Sequence, residues 1–341
     1  MITLQNPPNG ATVCLQTEAQ AQFYRDECRR AQMDGALTYS WDALVKQGED
    51  RSFPAPVAFA WEEHDAEKLG ASFFLLVSEN EDMTQPWVYI TSETAYEIYN
   101  LKVGTQYYWC VQKNGSRSAV HSFYTSATMP RCIKIDGISN VRDMGGYVVQ
   151  GGRIRQGLVY RGGEFELHMH LGEDGARELV RLGIRTELDM RGEAVGKVDF
   201  TAAEAVGIKR VLIPNAPYSA VFDPGLAPNA QGFFKVFVTP ESYPIYYHCW
   251  GGADRTGTFA FILGAYLGMK LEDLIDEYEF TSLSIWGIRT RNYGEFRDFL
   301  QRFMALPGET LQKKATSYLK EYAGLCDAEL ATIKEIMVET E

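Results

Sequence analysis

The residues that carry chemistry stand together in one decapeptide, HCWGGADRTG, at positions 248–257. It follows a short apolar run at residues 244–247, which predicts a buried strand, and it enters an apolar helix predicted over residues 256–267. The chain has six cysteines, and only Cys249 fits the pattern Cys-x5-Arg, with Arg255 as its partner. A cysteine and an arginine at this spacing, where a loop enters a helix, predict an anion site with a nucleophile at its base.

The loop between the two elements has the properties of a phosphate cradle. Gly251 and Gly252 let the backbone curl without Cβ clashes, so that its N–H groups point inward beside the positive end of the helix. Arg255 returns to the same cavity and offers a planar, bidentate fork to phosphate oxygens. We therefore expect residues of this loop to bind the phosphate, namely Trp250, Gly251, Gly252, Ala253 and Thr256.

The same positive field predicts the reactive form of the cysteine. Cys249 at the base of the loop is expected to be a thiolate, and a thiolate that faces a bound phosphate is a nucleophile. The hydroxyl of Thr256 is placed to donate a hydrogen bond to the sulfur when it leaves, and His248 is expected to orient the loop.

This decapeptide resembles the signature of the cysteine-dependent phosphatase superfamily, and its form H-C-x-x-G-x-D-R-T-G is similar to that of a bacterial tyrosine phosphatase family. Further stretches carry the same resemblance, which covers residues 132–341: GISNVRDMGGY at 137–147, RQGLVYR at 155–161, TELDMR at 186–191 and EYEFTS at 277–282. It implies a protein tyrosine or dual-specificity phosphatase that acts through a phosphocysteine and needs no metal or other cofactor. The implied partner is a phosphorylated protein or a small phosphoester.

The general acid that protonates the leaving group stays open between two aspartates. The resemblance implies that Asp254, inside the loop, participates, whereas Asp223 lies 26 residues before Cys249, where many members of the superfamily carry a mobile acid loop. Asp143 is expected to be a supporting residue that buttresses the loop, and Trp286 either forms an apolar lid over the pocket or packs in the core.

One position departs from the family pattern. The family has a lysine where this chain has Ala253, and that lysine adds positive charge beside the headgroup in relatives that hydrolyse phosphoinositides. Its absence favours phosphotyrosine or another compact ester. A phosphoinositide or inositol-phosphate phosphatase is the alternative, and a phospho-ligand binding protein with an inactive phosphatase domain is an alternative of another class.

The alternation of strand and helix patterns after residue 128 predicts an α/β domain at residues 129–341, and the resemblance implies a central, mostly parallel sheet flanked by helices. Short alternating runs in residues 1–128 predict a small β-sandwich in front of it. The segment TEAQ at 17–20 predicts a capping box that opens a helix to about Gln32. Trp61, the run LKVGTQYYW at 101–109 and the final SFYT at 122–125 resemble a fibronectin type III domain, whose partner the sequence does not identify.

Composition excludes several classes of protein. The net charge of −12 argues against sequence-independent binding of nucleic acid, which needs a basic face. No apolar run approaches the ~18–20 residues that span a bilayer, so we expect no transmembrane segment. No signal peptide is visible at the first residues, which favours the cytoplasm, while a trimmed secreted or periplasmic protein stays open.

Overall fold

The computed structural model describes residues 1–30, 40–46, 48–64, 72–192 and 203–340. The chain divides into two compact units. The first contains Met1–Gln16 and Pro54–Arg131, and the second contains Thr17–Phe53 and Cys132–Glu341. Among the described residues, no helix is long and apolar enough to cross a membrane.

The first unit consists of two sheets that share one hydrophobic core. Its strands are β1 (Ile2–Asn6), β2 (Ala11–Val13), β3 (Val57–Glu63), β4 (Phe73–Ser78), β5 (Trp87–Thr91), β6 (Ala95–Ile98), β7 (Gln106–Lys113), β8 (Ser116–Arg117) and β9 (His121–Thr125). One sheet has the order β1-β3-β6, and the other has the order β2-β9-β7-β4-β5 with β8 beside β7.

The period-2 pattern of these strands explains that core. In β3, Val57, Phe59 and Trp61 are buried, while the residues between them are more exposed. The ring of Phe59 lies 5.0 Å from that of Trp109 in the facing sheet and 5.7 Å from that of Phe123. These strands lie in the stretch whose short alternating runs predict a β-sandwich, and the assignment to that architecture and to the fibronectin type III family stays a prediction.

The second unit is a mixed α/β structure, as predicted. Its helices are α1 (Glu18–Arg25), α2 (Glu27–Arg30), α3 (Glu173–Arg181), α4 (Ala227–Val238), α5 (Asp254–Leu267), α6 (Leu271–Glu279), α7 (Gly294–Met304), α8 (Leu311–Glu321) and α9 (Asp327–Met337). Its strands follow the junction strand β10 (Arg131–Cys132) and are β11 (Arg142–Asp143), β12 (Val148–Val149), β13 (Gly152–Ile154), β14 (Val159–Gly162), β15 (Thr186–Asp189), β16 (Lys209–Leu212), β17 (Ile245–His248) and β18 (Val338–Glu339).

The central sheet has the order β10-β11-β14-β17-β15-β16, in which β14, β17, β15 and β16 run parallel. All four residues of β17 are buried, because both faces of the sheet are covered. Tyr246 packs in a cluster with residues of α3, while the next residue, Tyr247, contacts Phe233 of α4 on the other face at 5.6 Å between ring centroids. Strand β17 is therefore the buried central strand that leads into the decapeptide.

The segment Thr17–Phe53 belongs to the second unit and not to the first, which differs from the division at residue 128 expected from sequence. Its capping box is confirmed, since the Thr17 and Gln20 side chains bond each other's backbone N–H groups at the start of α1. The predicted helix ends at Arg25 and resumes in α2, and Gln32 lies outside the described residues. Buried Arg29 pairs with Asp276 (2.9 Å) and Glu279 of α6, a contact that local patterns do not predict.

We predict that Arg29→Ala lowers the free energy of unfolding of this unit by about 3 kcal/mol, because it leaves Asp276 and Glu279 without one of their buried partners. Arg25→Ala is the matched control, since Arg25 of the preceding helix is 67% exposed and pairs only at the surface. It should cost less than about 1 kcal/mol. Urea unfolding measures the free energy of unfolding of both variants. Equal values for Arg29→Ala and Arg25→Ala would contradict the assignment of this segment to the second unit.

Candidate active site

The decapeptide forms a loop at the carboxyl end of the central parallel strand. Strand β17 ends at His248, and α5 begins at Asp254 with Ala253 in the capping position, so residues 249–253 span the turn between them. The carboxyl edge of a parallel sheet is where α/β proteins place their ligand sites. The N-terminus of α5 adds its positive end to the same place.

Five successive carbonyl groups of this loop, from Cys249 to Ala253, accept hydrogen bonds from groups outside it. The donors are, in carbonyl order, the His248 ring (2.9 Å), the Glu164 amide (3.0 Å), the Asn140 side-chain amide (2.8 Å), the Arg161 guanidinium (2.6 Å) and the Gly257 amide (2.9 Å). In a planar trans peptide the N–H points away from the C=O. The N–H groups that follow these carbonyls are thus turned to the opposite side, which makes them candidate donors for an anion.

The loop can adopt this shape because two positions lack a Cβ. Gly252 has a left-handed φ of +65°, and a Cβ there would lie 2.2 Å from the backbone oxygen of Gly162. A Cβ on Gly251 would lie 2.6 Å from the indole ring of Trp286. Both glycines are therefore required by close approach of neighbouring groups.

His248 supports the loop from beneath. Its Nδ1 faces the carbonyl oxygen of Cys249, which can only accept, and its Nε2 lies 2.8 Å from the carboxylate of Glu187. Burial alone would lower the pKa of His248, but the hydrogen bond to Glu187 and the nearby Asp189 outweigh it, so the pKa is raised. Acceptors at both ring nitrogens favour the protonated form, in agreement with the direction of this pKa shift.

The same buried region has the donor types of a metal site. Atoms of Glu187, Asp189 and His248 lie within 4.8 Å of one another. Guanidinium groups occupy the carboxylate of Asp189, since Arg191 bonds it at 2.9 and 2.8 Å and Arg210 at 2.8 Å. This cluster therefore works as an ion-pair support at the end of β15.

Three side chains that the sequence analysis assigned to catalysis or phosphate binding lie at the loop and in the first turn of α5. Cys249 is 4% exposed. Arg255 is half-buried, and its Nη1 donates to the carbonyl of Met190 at 3.2 Å. Thr256 is fully buried, and its hydroxyl has no hydrogen-bond partner in the described part of the chain. The predicted bond from Thr256 to the sulfur is thus not formed here, although the hydroxyl is unengaged.

Asp254 is held as a carboxylate. Arg289 donates to both its oxygens, from Nε at 2.6 Å and from Nη2 at 2.9 Å, and the hydroxyl of Tyr218 donates to one of them. Burial by itself would raise the pKa of Asp254, but the bonds and the charge of Arg289, helped by Tyr218 and Arg255, lower it. The Tyr218 hydroxyl also lies 2.9 Å from that of Tyr278, so Asp254 ends a buried polar chain.

The other two aspartates are engaged elsewhere. Asp223 is exposed, and its carboxylate accepts from the amide of Gly225 (2.8 Å) as the cap of a short 3-10 helix. Asp143 accepts from the amides of Gly145 (2.7 Å) and Gly157 (2.6 Å), so these bonds brace a neighbouring turn. The side chains that hold the loop carbonyls are Asn140 and Arg161, which the sequence analysis did not single out within the motifs that contain them.

Aromatic side chains form one wall of the site. The Trp286 ring lies against Gly251, and the His168 ring packs edge-on against Trp250, with centroids 4.7 Å apart. His168 also lies 6.2 Å from Trp286. Beside Trp286, Ile285 and Ile288 are 45% and 46% exposed. The ring of Trp286 contacts the loop, and its role as an apolar lid stays a prediction.

Residues 133–339 match the profile of the tyrosine phosphatase family. The chain belongs to this family. Over 171 residues it is 29% identical to a protein of Cupriavidus necator named "Putative tyrosine-protein phosphatase", covering 43% of this chain and 61% of that protein's length.

A solved structure with some likeness is the core catalytic domain of the PP-IP phosphatase SIW14 from S. cerevisiae, in complex with citrate. It is 16% identical with a TM-score of 0.33, and the match covers 50% of this chain and 86% of that one. A score of this size does not establish a shared fold.

The ion pair at Asp254 predicts a pH-dependent stability. Its carboxyl has a lower pKa folded than unfolded, so the stabilisation is present above the unfolded value of about 4 and is lost as the pH falls through the folded value. Arg289→Gln should raise the pKa of Asp254 and remove this contribution.

Urea unfolding from about pH 2 to pH 7 should show wild type more stable than Arg289→Gln at neutral pH, with the gap closing in acid. Arg297→Gln, at an exposed arginine of α7, is the control and should leave the profile unchanged. A gap that is the same at every pH would contradict the ionised pair.

Proposed function

We propose that this phosphatase hydrolyses phosphotyrosine and similar aryl phosphomonoesters through a phosphocysteine on Cys249. The observation that carries the proposal is the loop whose five carbonyls are all bound from outside, with Arg255 in the first turn of the helix that follows. Such a loop presents amide N–H groups and a guanidinium to the equatorial oxygens of a phosphoryl group, where charge shifts in the transition state.

In the first step the Cys249 thiolate attacks phosphorus, an S–P bond forms, and the bond from phosphorus to the leaving oxygen breaks. The leaving oxygen takes a proton from the general acid. In the second step water attacks phosphorus, the S–P bond breaks, and the same carboxylate takes a proton from the water. The unengaged hydroxyl of Thr256 is available to donate to the departing sulfur.

Asp254 is the general acid of this proposal, because it lies in the loop beside Arg255, whereas Asp223 is exposed and caps a helix. Arg289 favours the ionised form of Asp254, whereas a general acid must carry a proton. The protonated fraction of Asp254 grows as the solution becomes more acidic. Substrates with poor leaving groups should therefore be hydrolysed best on the acidic side of neutrality.

The substrate class follows from the walls of the site. Trp250, Trp286 and His168 offer aromatic surface next to the phosphate loop, which suits the ring of a phosphotyrosine. Ala253 is buried and adds no charge there. Nothing at that position favours a substrate with a second phosphate.

For the nucleophile, we predict that Cys249→Ser lowers turnover of an aryl phosphate by about 10³-fold or more, because the serine hydroxyl is not ionised at neutral pH. Wild-type turnover should survive EDTA. Cys28→Ser, at an exposed cysteine, is the control and should keep full activity.

Activity retained by Cys249→Ser would remove the proposed nucleophile. Phosphotyrosine peptide binding without turnover in the wild type would leave only the role of a phospho-ligand binding protein. A panel of phosphopeptides against inositol phosphates would reassign the substrate class if the latter were preferred.

For the acid, we predict that Asp254→Asn lowers kcat for phenyl phosphate by about 10²-fold or more, since its phenolate needs a proton. The loss should be much smaller for nitrophenyl phosphate, because its nitrophenolate leaves without needing a proton. Asp223→Asn should change neither rate. Should Asp223→Asn show the leaving-group-dependent loss instead, the acid is Asp223.

A further inference from the structure

The segment Thr17–Phe53 lies outside residues 133–339, which carry the family match, yet it is part of the same compact unit. Its last residues reach the support of the phosphate loop. Ser52 is 1% exposed, and its hydroxyl oxygen accepts a hydrogen bond from the backbone N–H of Asn140 at 3.0 Å. Asn140 is the residue that holds the carbonyl of Gly251.

The hydroxyl of Ser52 is fixed in the role of acceptor. It donates its proton to Asp50 Oδ1 at 2.6 Å, and the backbone N–H of Ser52 bonds the same oxygen at 2.9 Å. With its proton committed to Asp50, the oxygen presents a lone pair to Asn140. The turn formed by Asp50 and Ser52 therefore fixes the orientation of the Ser52 hydroxyl.

Asn140 needs such a restraint. Its backbone has a left-handed φ of +66°, which non-glycine residues rarely adopt. In this conformation its side chain reaches the Gly251 carbonyl (2.8 Å) and Thr281 Oγ1 (3.3 Å), while Arg142 donates to its backbone and side-chain oxygens. These hydrogen bonds together orient the side-chain amide of Asn140 toward the loop.

The segment itself is fastened to the unit at several points. The amide of Arg51 donates to the carbonyl of Leu283 at 2.7 Å, and Phe23 packs edge-on against Phe280 with centroids 5.7 Å apart. Together with the buried pairs of Arg29, these contacts keep Ser52 at a fixed place.

We propose that Ser52 is a positioning residue of the phosphate loop, acting through Asn140 on the peptide that joins Gly251 to Gly252. By holding the Gly251 carbonyl outward, this chain of contacts turns the Gly252 N–H toward the phosphate. The unit that holds the loop thus includes residues that lie in the chain between β2 and β3 of the first unit. The kcat measurement that tests this proposal rests on the proposed function. The other measurement, phosphate binding, needs no turnover.

The first measurement is the binding of inorganic phosphate to the full-length chain, by calorimetry, at a temperature where each variant is folded. Ser52→Ala should weaken phosphate binding by about two- to tenfold, the effect of one hydrogen bond that positions a donor. With an aryl phosphate, kcat should fall with it.

Ser40→Ala is the matched control. Ser40 also donates its hydroxyl proton to an aspartate two positions away, Asp42, at 2.7 Å in the same segment, but both residues are exposed. This variant should bind phosphate and turn over substrate like the wild type.

Asp50→Ala keeps the experiment informative if Ser52→Ala does not fold. Asp50 is half-buried, and its removal frees the Ser52 hydroxyl to rotate, so phosphate binding should weaken in the same direction but less. Asp42→Ala is its control.

Wild-type phosphate affinity and kcat in folded Ser52→Ala and Asp50→Ala would overturn the positioning role. A wild-type chain that binds phosphate without turnover would overturn the proposed function alone, and weaker phosphate binding by Ser52→Ala would still support the positioning role. A loss of thermal stability with unchanged phosphate affinity would show that Ser52 is merely structural.

Discussion

A peptide group points its carbonyl and its N–H in opposite directions, and the candidate active site of this protein depends on that constraint. A loop that presents its amides to an anion has its carbonyls on the other side, where they need donors. Three of the five donors here come from distant parts of the chain: Glu164 bonds the Trp250 carbonyl, Asn140 is 111 positions from Gly251, and Arg161 is 91 positions from Gly252. The shape of the loop is therefore a product of tertiary structure, although its signature is a short local motif.

The support of the loop is charged as well as hydrogen-bonded. Buried Arg142 and Arg161 both pair with Glu277 of α6, and they also reach Asn140 and the Gly252 carbonyl respectively. Paired charges of this kind avoid the cost of an isolated buried ion, and their geometry fixes the directions of the remaining donors. Helix α6 thus helps to hold the loop in its shape through Glu277.

The sequence predicted those features that depend on residues close together in the chain. Strand β17, the start of α5 and the Thr17–Gln20 capping box were predicted because each depends on residues a few positions apart. His248 was predicted to orient the loop, but Asn140 and Arg161 were not, because a motif such as GISNVRDMGGY shows neither which side chain turns inward nor which group it contacts. The pairing of Asp254 with Arg289 likewise joins residues 35 positions apart with no periodic signal.

The order in which the chain visits its two units has a consequence for how such a protein can be rearranged. The polypeptide enters the second unit at Thr17, leaves it after Phe53 and returns at Cys132. A recombination that exchanges residues 1–128 as one block would remove α1, α2 and the Asp50–Ser52 turn from the second unit. A transferable form of the second unit must be assembled from two pieces of chain, so the first unit is an insertion with an N-terminal extension rather than a separable leader.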